Sequence, residues 1–397
     1  MIKRTLTTVI DRAWKRGKSI LLLGPRQTGK TTLARQFEFD LTVQLLSSSL
    51  RRQYEMNPDL IIREVAALRL KKPARVLIDE VQKVPGLMDS IQLLIDERKA
   101  QFFITGSSAR KLKQQSEVNL LPGRVISFRL DTLTFDEFSN SMEPKNIELD
   151  SLLYFGQLPE VVLTTIKNDK AELLRSYVET YLEEEIRKES GLRRLPEFYR
   201  FLESAASQAG NIVSYTGISQ DTGVSHVTVK AYYEILESTL IADRIDPIVT
   251  SPTRPKLIRS PRYLFFDLGV QRVCAKEAQP LPRTTLGKYF ECWAGMELLK
   301  MIRHKSDSCS LCFWQDPGAA EVDWVLKKGH SFLPIEVKLS ERIKTSDVRH
   351  LKKFIEEYSC PKGGIVVFSG NRKQMISDQI TAVPWFELTN VVSEMFF

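Results

Sequence analysis

The segment Gly24-Pro-Arg-Gln-Thr-Gly-Lys-Thr31 fits G-x-x-x-x-G-K-[ST] at every fixed position. Its glycines, Gly24 and Gly29, let successive backbone N–H groups point into one concavity that suits phosphate oxygens at the positive end of a following helix. Pro25, Arg26, Gln27 and Thr28 complete the cradle, Lys30 adds a mobile positive charge, and Thr31 offers a hydroxyl to Mg²⁺. Thr32-Leu-Ala-Arg-Gln-Phe37 is expected to continue as the helix. ATP with Mg²⁺ is the cofactor pair this chemistry implies.

Further residues extend that chemistry. Ala74-Arg-Val-Leu-Ile-Asp79-Glu80 reads as an apolar strand ending in two carboxylates, Asp79 for the magnesium shell and Glu80 as general base toward the attacking water. Gln101-Phe-Phe-Ile-Thr-Gly-Ser-Ser108 reads as another strand. There, Ser107 either senses the γ-phosphate or, like Ser108, merely caps the next helix. Arg124, after Gly123, and Arg110 are candidates for a finger reaching a neighbouring subunit's phosphate.

A second chemical cluster lies in the last third. Glu321-Val-Asp-Trp-Val-Leu and Leu333-Pro-Ile-Glu-Val-Lys-Leu read as a hairpin turning at Lys327-Lys-Gly-His330, with Asp323 and Glu336 as diagonal neighbours and Glu336 and Lys338 on one face. A preceding helix, apolar on one face, carries Glu291 and Glu297. The set Glu291, Asp323, Glu336 and Lys338 is similar to metal-dependent nuclease cores of the PD-(D/E)xK type. In such a core Asp323 and Glu336 would hold Mg²⁺ and Lys338 would orient or deprotonate water. Glu321-Val stands before Asp323 where that pattern has a proline, and binding DNA without cutting it is the other reading of this domain.

The elements that must position these groups follow from length and patterning. At 397 residues the chain exceeds one ordinary core. The boundaries read from it are an ATPase domain at 1–140, a helical lid at 141–208, a winged helix-turn-helix at 209–260 and an α/β domain at 261–397. Within the third, Tyr215 to Glu237 gives helix, Gly223 turn, a Ser225 cap and a second helix presenting His226, Thr228 and Lys230, with Leu240–Ile245 as the wing strand. That module either reads DNA or serves as a packing piece. Arg254, Lys256, Arg259 and Arg262 read as a basic loop suited to backbone phosphates.

The formal charge of +8 favours a polyanionic partner, DNA above all. Residues 1–36 hold nine Lys or Arg against the single acid Asp11, whereas Asp131 to Glu189 is acid-rich, including Glu183-Glu184-Glu185, so the two stretches could attract each other. Five scattered cysteines argue against a zinc site or disulfide framework. No stretch approaches a membrane span and no secretory leader is evident, so a cytoplasmic protein without membrane partners is expected.

Gly24–Thr31, Ile78-Asp-Glu-Val-Gln-Lys-Val-Pro85, Ile104-Thr-Gly-Ser-Ser108, Leu158-Pro-Glu160, the Gly223 turn and Ile335-Glu-Val-Lys338 together resemble a group of prokaryotic AAA-type ATPases fused to a C-terminal domain of unknown function. The resemblance spans nearly the whole chain. It implies an α/β fold: an AAA-type P-loop core, a helical and winged-helix middle, and a C-terminal restriction-endonuclease-like domain. The function expected is an ATP-hydrolysing homo-oligomer, in the form of a ring, that binds and remodels branched or broken DNA. The competing reading is a slow nucleotide-controlled switch whose later domains are protein-interaction scaffolds.

Overall fold

The computed structural model describes residues 2–107, 123–141, 148–182, 195–249, 259–277, 280–305, 308–316 and 320–397. Ser108, Arg110, the Glu183-Glu184-Glu185 run, Arg254 and Lys256 lie outside the described residues.

Five strands form the first sheet: β1 (Ser19–Leu23), β2 (Leu41–Gln44), β3 (Ala74–Asp79), β4 (Ala100–Gly106) and β5 (Val125–Arg129). They are parallel in the order β2-β3-β4-β1-β5. All five residues of β1 are buried, as expected for a continuous apolar run inside a parallel sheet. Ligands of such sheets bind in the crevice beyond the carboxyl ends of the strands, and Gly24, Glu80 and Ser107 all follow strands at that edge.

The helix after the phosphate loop is shorter than expected. It covers Lys30–Ala34 and then tightens, with Gln36 N donating to Leu33 O and Phe37 N to Ala34 O. Phe37 instead joins an aromatic cluster with Trp14, Phe39 and Phe103, and that packing ends the helix.

The middle of the chain is helical: Leu149–Phe155, Pro159–Leu163, Lys167–Ser176 running into a π-helical turn Tyr177–Leu182, Leu195–Ser207, Tyr215–Thr222 and His226–Ser238. The last two are joined through Gly223 at φ 73°, and Ser225 caps the second by accepting from Thr228 N at 3.1 Å. An antiparallel pair follows, β6 (Ala242–Ile245) and β7 (Arg262–Phe265), and then the helix Leu268–Cys274.

The cores do not follow the boundaries read at 140, 208 and 260. One cluster runs from Phe155 to Cys274, joining the helical segment to the helix-turn-helix. Leu133, Phe135 and Phe138, expected to close the first domain, pack instead with Trp293 and Trp385 of the C-terminal part.

Gly156 makes the bend between two middle helices at φ 70°, and a Cβ there would lie 2.1 Å from a carboxylate oxygen of Asp267, which accepts from Gln157 N at 2.7 Å. Gly156→Ala is therefore expected to cost about 1–3 kcal/mol of backbone strain and to displace Asp267. Urea unfolding at neutral pH measures it, and a midpoint equal to wild type would sink the idea.

The second sheet contains β8 (Cys309–Gln315), β9 (Glu321–Lys328), β10 (Ser331–Lys338), β11 (Gly364–Phe368), β12 (Gln374–Ser377) and β13 (Ile380–Pro384), ordered β12-β13-β11-β10-β9-β8. Two sequence expectations change here. Lys327 and Lys328 belong to β9, and the turn is Gly329-His330 with Gly329 at φ 58°. The register pairs Ile335 with Trp324, which continued by one pair sets Asp323 directly opposite Glu336 rather than diagonal to it.

The helix expected to be apolar on one face spans Arg283–Lys305 and is buried almost all round from Tyr289 to Ile302. It is the centre of the C-terminal core rather than an amphipathic surface helix. Among the described residues, no helix is long and apolar enough to cross a membrane.

Candidate functional site: the phosphate loop and its neighbours

The phosphate loop is held open by backbone geometry and by a buried arginine. Gln27 and Gly29 take positive φ, 60° and 95°, and a Cβ on Gly24 would sit 2.3 Å from Leu130 O, so only glycine permits that approach. Behind the loop, Arg4 is 5% exposed. Its guanidinium donates to Thr28 O at 2.7 Å, Asp131 O at 2.7 Å and Glu137 Oε2 at 2.9 Å. The attraction between the basic N-terminal stretch and the later acids is thus realised at Arg4 and Glu137. Arg4 was not singled out by sequence, where it is one basic residue among nine.

Lys30 is buried, and its Nζ donates to Gly24 O at 2.9 Å and Pro25 O at 2.8 Å. An ammonium held by the loop's own carbonyls is poised to exchange them for phosphate oxygens. Thr31 Oγ1 donates to both carboxylate oxygens of Asp79 at 3.2 Å, which brings two hard oxygen donors together as Mg²⁺ requires.

Glu80 stands just past β3 in the left-handed region at φ 64°, a conformation that marks functional sites when the surroundings enforce it. The enforcement is visible. Thr105 Oγ1 accepts from Glu80 N at 3.1 Å and donates to Asp79 Oδ1 at 2.5 Å. Gln82 Nε2 donates to Glu80 Oε2 at 2.5 Å and to Ser107 Oγ at 2.8 Å. Ser107 is therefore tied to Glu80 through Gln82, a residue that sequence reasoning quoted but gave no role.

Arg124 is not brought to this site. β1 and β5 run parallel with Ser19 opposite Val125 and Leu23 opposite Arg129, so Arg124 lies at the amino edge, away from the loop after Leu23. There it pairs with Asp96 through Nε at 2.6 Å. Arg129 and Arg303 occupy the carboxyl side instead. Arg303 bridges Asp131 at 2.8 Å and Asp243 at 2.6 Å, and Arg129 reaches the same two carboxylates at 2.8 and 2.7 Å.

The C-terminal cluster is assembled but already occupied by its own cations. Arg262, expected in a basic loop, is buried on β7, donates to Glu291 Oε1 at 2.9 Å and stacks 4.5 Å over Phe313; Arg259 is exposed. Asp323 Oδ2 accepts from Val337 N at 2.7 Å, and Lys338 Nζ donates to Glu336 Oε1 at 2.7 Å. Burial, and then Asp323, push the Glu291 carboxyl up to about 8 and raise Glu336 well above the carboxylate range; burial also raises Asp323. Among the described residues no group of three or more His, Cys, Asp or Glu could hold a metal ion. With Glu291 taken by Arg262, the cluster does not fit a resident Mg²⁺.

Among the described residues Glu336 Oε2 is buried without a hydrogen-bond partner, so a proton is its simplest relief. The native carboxyls lie above their unfolded value near 4.3. Their stabilising contribution is thus full below that value and lost as pH rises through the native ones, about 8 for Glu291. Wild type should lose melting temperature between pH 5 and 8, and Glu336→Gln should flatten the decline and melt higher at pH 8. Calorimetry tests this. A wild-type gain with added Mg²⁺ that is absent in Glu336→Gln would instead reveal a metal site.

Comparison with known proteins bears on this geometry. Residues 16–139 match an AAA domain. The match covers the phosphate loop, Asp79, Glu80 and Ser107 and supports an AAA-type ATPase module at the N-terminus. Residues 146–279 and 286–388 match two domains of unknown function, DUF8612 and DUF4143, and the first of these encloses the single middle core. Uncharacterized proteins of Mycobacterium tuberculosis and Mycobacterium bovis are each 24% identical over 397 residues, covering 96% of this chain and 83% of theirs. A solved Vibrio cholerae protein is 10% identical, covering 95% of this chain and 96% of its own, with a TM-score of 0.21.

Proposed function

We propose that the chain is a Mg²⁺-dependent ATPase whose turnover responds to DNA. The observation that carries the ATPase reading is the continuous chain Thr31–Asp79–Thr105–Glu80–Gln82–Ser107 at the mouth of the phosphate loop. Thr31 and Asp79 would hold Mg²⁺, which when bound neutralises charge on the phosphates. Lys30 exchanges its loop carbonyls for phosphate oxygens. Glu80, held by Gln82, takes the proton of the attacking water, and Ser107, at the other end of Gln82, registers the terminal phosphate.

The DNA reading is supported by the charge of +8 and by two exposed polar or basic surfaces. One is the amino end of the helix His226–Ser238, where polar His226 and Lys230 face solvent. The other is Arg349 and Lys352 on the helix beside β9 and β10, next to His350, whose ring accepts from Glu321 N. An assembly of identical subunits belongs to the same reading, with Arg124 able to serve only a neighbour's phosphates.

ATP hydrolysis by the full chain and by Glu80→Gln, with single-stranded, duplex and four-way-junction DNA at low and moderate salt, tests the proposal. DNA-stimulated turnover that disappears in the variant supports it. Glu80-dependent turnover indifferent to every DNA form would remove DNA and leave a nucleotide-controlled switch.

A further inference from the structure

The strands of the first sheet are parallel, so the loops that enter them gather at the end away from the phosphate loop, Asp79 and Ser107. Lys71 and Lys72 lead into β3, Arg98 and Lys99 into β4, and Arg16 and Lys18 into β1. These three strands are neighbours in the sheet, and neighbouring strands lie about 4.8 Å apart. The six exposed cations therefore form one row across the amino edge.

Within the row a cleft of about 340 Å³ opens beside the carboxyl ends of the helices Leu60–Ala67 and Leu87–Asp96. Ile62, Val65 and Leu70 give it an apolar floor, Arg69, Lys71, Lys72, Arg98 and Lys99 surround it, and among the described residues no acid lines it. The acids around it are already engaged. Glu97 pairs with Lys99 at 2.7 Å, Asp96 with Arg124 at 2.6 Å, Asp40 accepts from Arg75 N, and Glu64 accepts from the Tyr54 hydroxyl. Among the described residues Arg69, Lys71, Lys72 and Arg98 have no ion-pair partner.

Arg69 and Arg98 hold strained backbone at this place. Each directly follows the cap at the carboxyl end of its helix, and each takes positive φ, 50° and 55°. Glycine is the usual occupant of that position, because a Cβ is disfavoured in the left-handed region. Lys99 N donates to Leu94 O and Arg98 N to Ile95 O, the pair of bonds that a glycine ordinarily completes. A cation also suits the negative end of a helix, yet it does so within the last turn without strain, and the last turns of both helices carry no basic residue. Two arginines in glycine positions thus add charge to the cleft rather than to their helices. A line of unpaired cations on a rigid sheet edge suits a repeating phosphate backbone better than one small anion.

We propose that the amino edge of the first sheet is a sequence-independent contact for a nucleic-acid backbone, with Arg69, Lys71, Lys72 and Arg98 on its phosphates. This rests on the DNA reading and gives the ATPase module its own share of the binding. Because β3 and β4 lead from the cleft to Asp79 and Ser107, DNA and Mg-ATP occupy opposite ends of the sheet and do not compete.

Fluorescence anisotropy of labelled duplex and single-stranded DNA of unrelated sequences, titrated with the full chain, tests the contact. Wild type should bind all of them alike and lose affinity steeply between about 50 and 200 mM salt. The double variants Lys71→Gln/Lys72→Gln and Arg69→Gly/Arg98→Gly should each weaken binding about fivefold or more and make the salt dependence shallower by about one to two phosphates. The glycine pair should melt no lower than wild type, since glycine takes these φ values freely, and basal ATP turnover should be unchanged in both. Unchanged affinity and salt dependence in the variants would overturn the contact while leaving DNA to the other surfaces. A glycine pair that binds normally but melts lower would return the arginines to their helices and overturn it too. Displacement of DNA by saturating Mg-ATP would move the contact to the nucleotide end, and equally tight binding of polyglutamate would make the cleft a face for acidic protein; either overturns the proposal. Absence of binding to every DNA form by wild type would instead fail the DNA reading itself.

Discussion

Glu80→Gln is expected to slow ATP turnover by roughly 10²–10⁴-fold while leaving Mg-ATP affinity within a few-fold of wild type. The amide is isosteric and can keep the contact with Gln82, whose Nε2 now meets Glu80 Oε2 at 2.5 Å, but it cannot take a proton from water. Thr31, Asp79 and Lys30, which would grip the nucleotide, stay in place. The signature is a fall in kcat with KM little changed, the mark of an interaction made in the transition state only. Lys30→Ala separates the roles, because it should raise KM and lower kcat together. Equal kcat for wild type and Glu80→Gln would take Glu80 out of the chemistry and leave its strained backbone unexplained.

What the sequence made legible follows the range of the physics involved. The phosphate loop, the Asp79-Glu80 strand end and the helix-turn-helix rest on local spacing, and each falls where the spacing puts it. Residues that act through distant partners left no local signal. Arg4 meets Glu137 across 133 residues, and Tyr177 meets Arg26 across 151. Arg124 looked useful because it follows a glycine before a strand, yet which end of β5 faces the loop is decided by parallel pairing with β1. Alternation in Ile335-Glu-Val-Lys338 correctly put Glu336 and Lys338 together. It could not show that Arg262, from another strand, would occupy Glu291. The apolar faces on either side of the boundaries read at 140 and 208 join cores built from residues far along the chain, which local spacing does not show.

Arg303→Leu is expected to destabilise the native state by about 1–3 kcal/mol, since Arg129 still pairs with both carboxylates, and to reach the nucleotide site as well. Arg303 comes from the central C-terminal helix, Asp131 follows β5 and Asp243 lies on β6, so one guanidinium ties together three parts of the chain. Burial alone would push the Asp131 carboxyl up, but Arg303 and Arg129 outweigh it and hold it below the usual carboxylate range. A group depressed in the native state stabilises above its unfolded value, near 3.9, and that stabilisation is lost as pH falls through the native value. The deficit of Arg303→Leu should therefore be full at pH 7 and shrink below about pH 4, where Asp131 in the variant takes a proton. Lysine at this position should recover only part of the loss, since one ammonium cannot span two carboxylates as a planar guanidinium does. Leu130, beside Asp131, donates to Leu23 O at 2.8 Å, and its carbonyl is the surface against which Gly24 packs. A loosened Asp131 should thus raise the KM for ATP in protein that is still folded. Urea titrations at pH 7 and pH 3.5 together with a KM measurement decide the matter: an equal deficit at both pH values would mean that lost packing, rather than the charge on Asp131, is what Arg303 contributes.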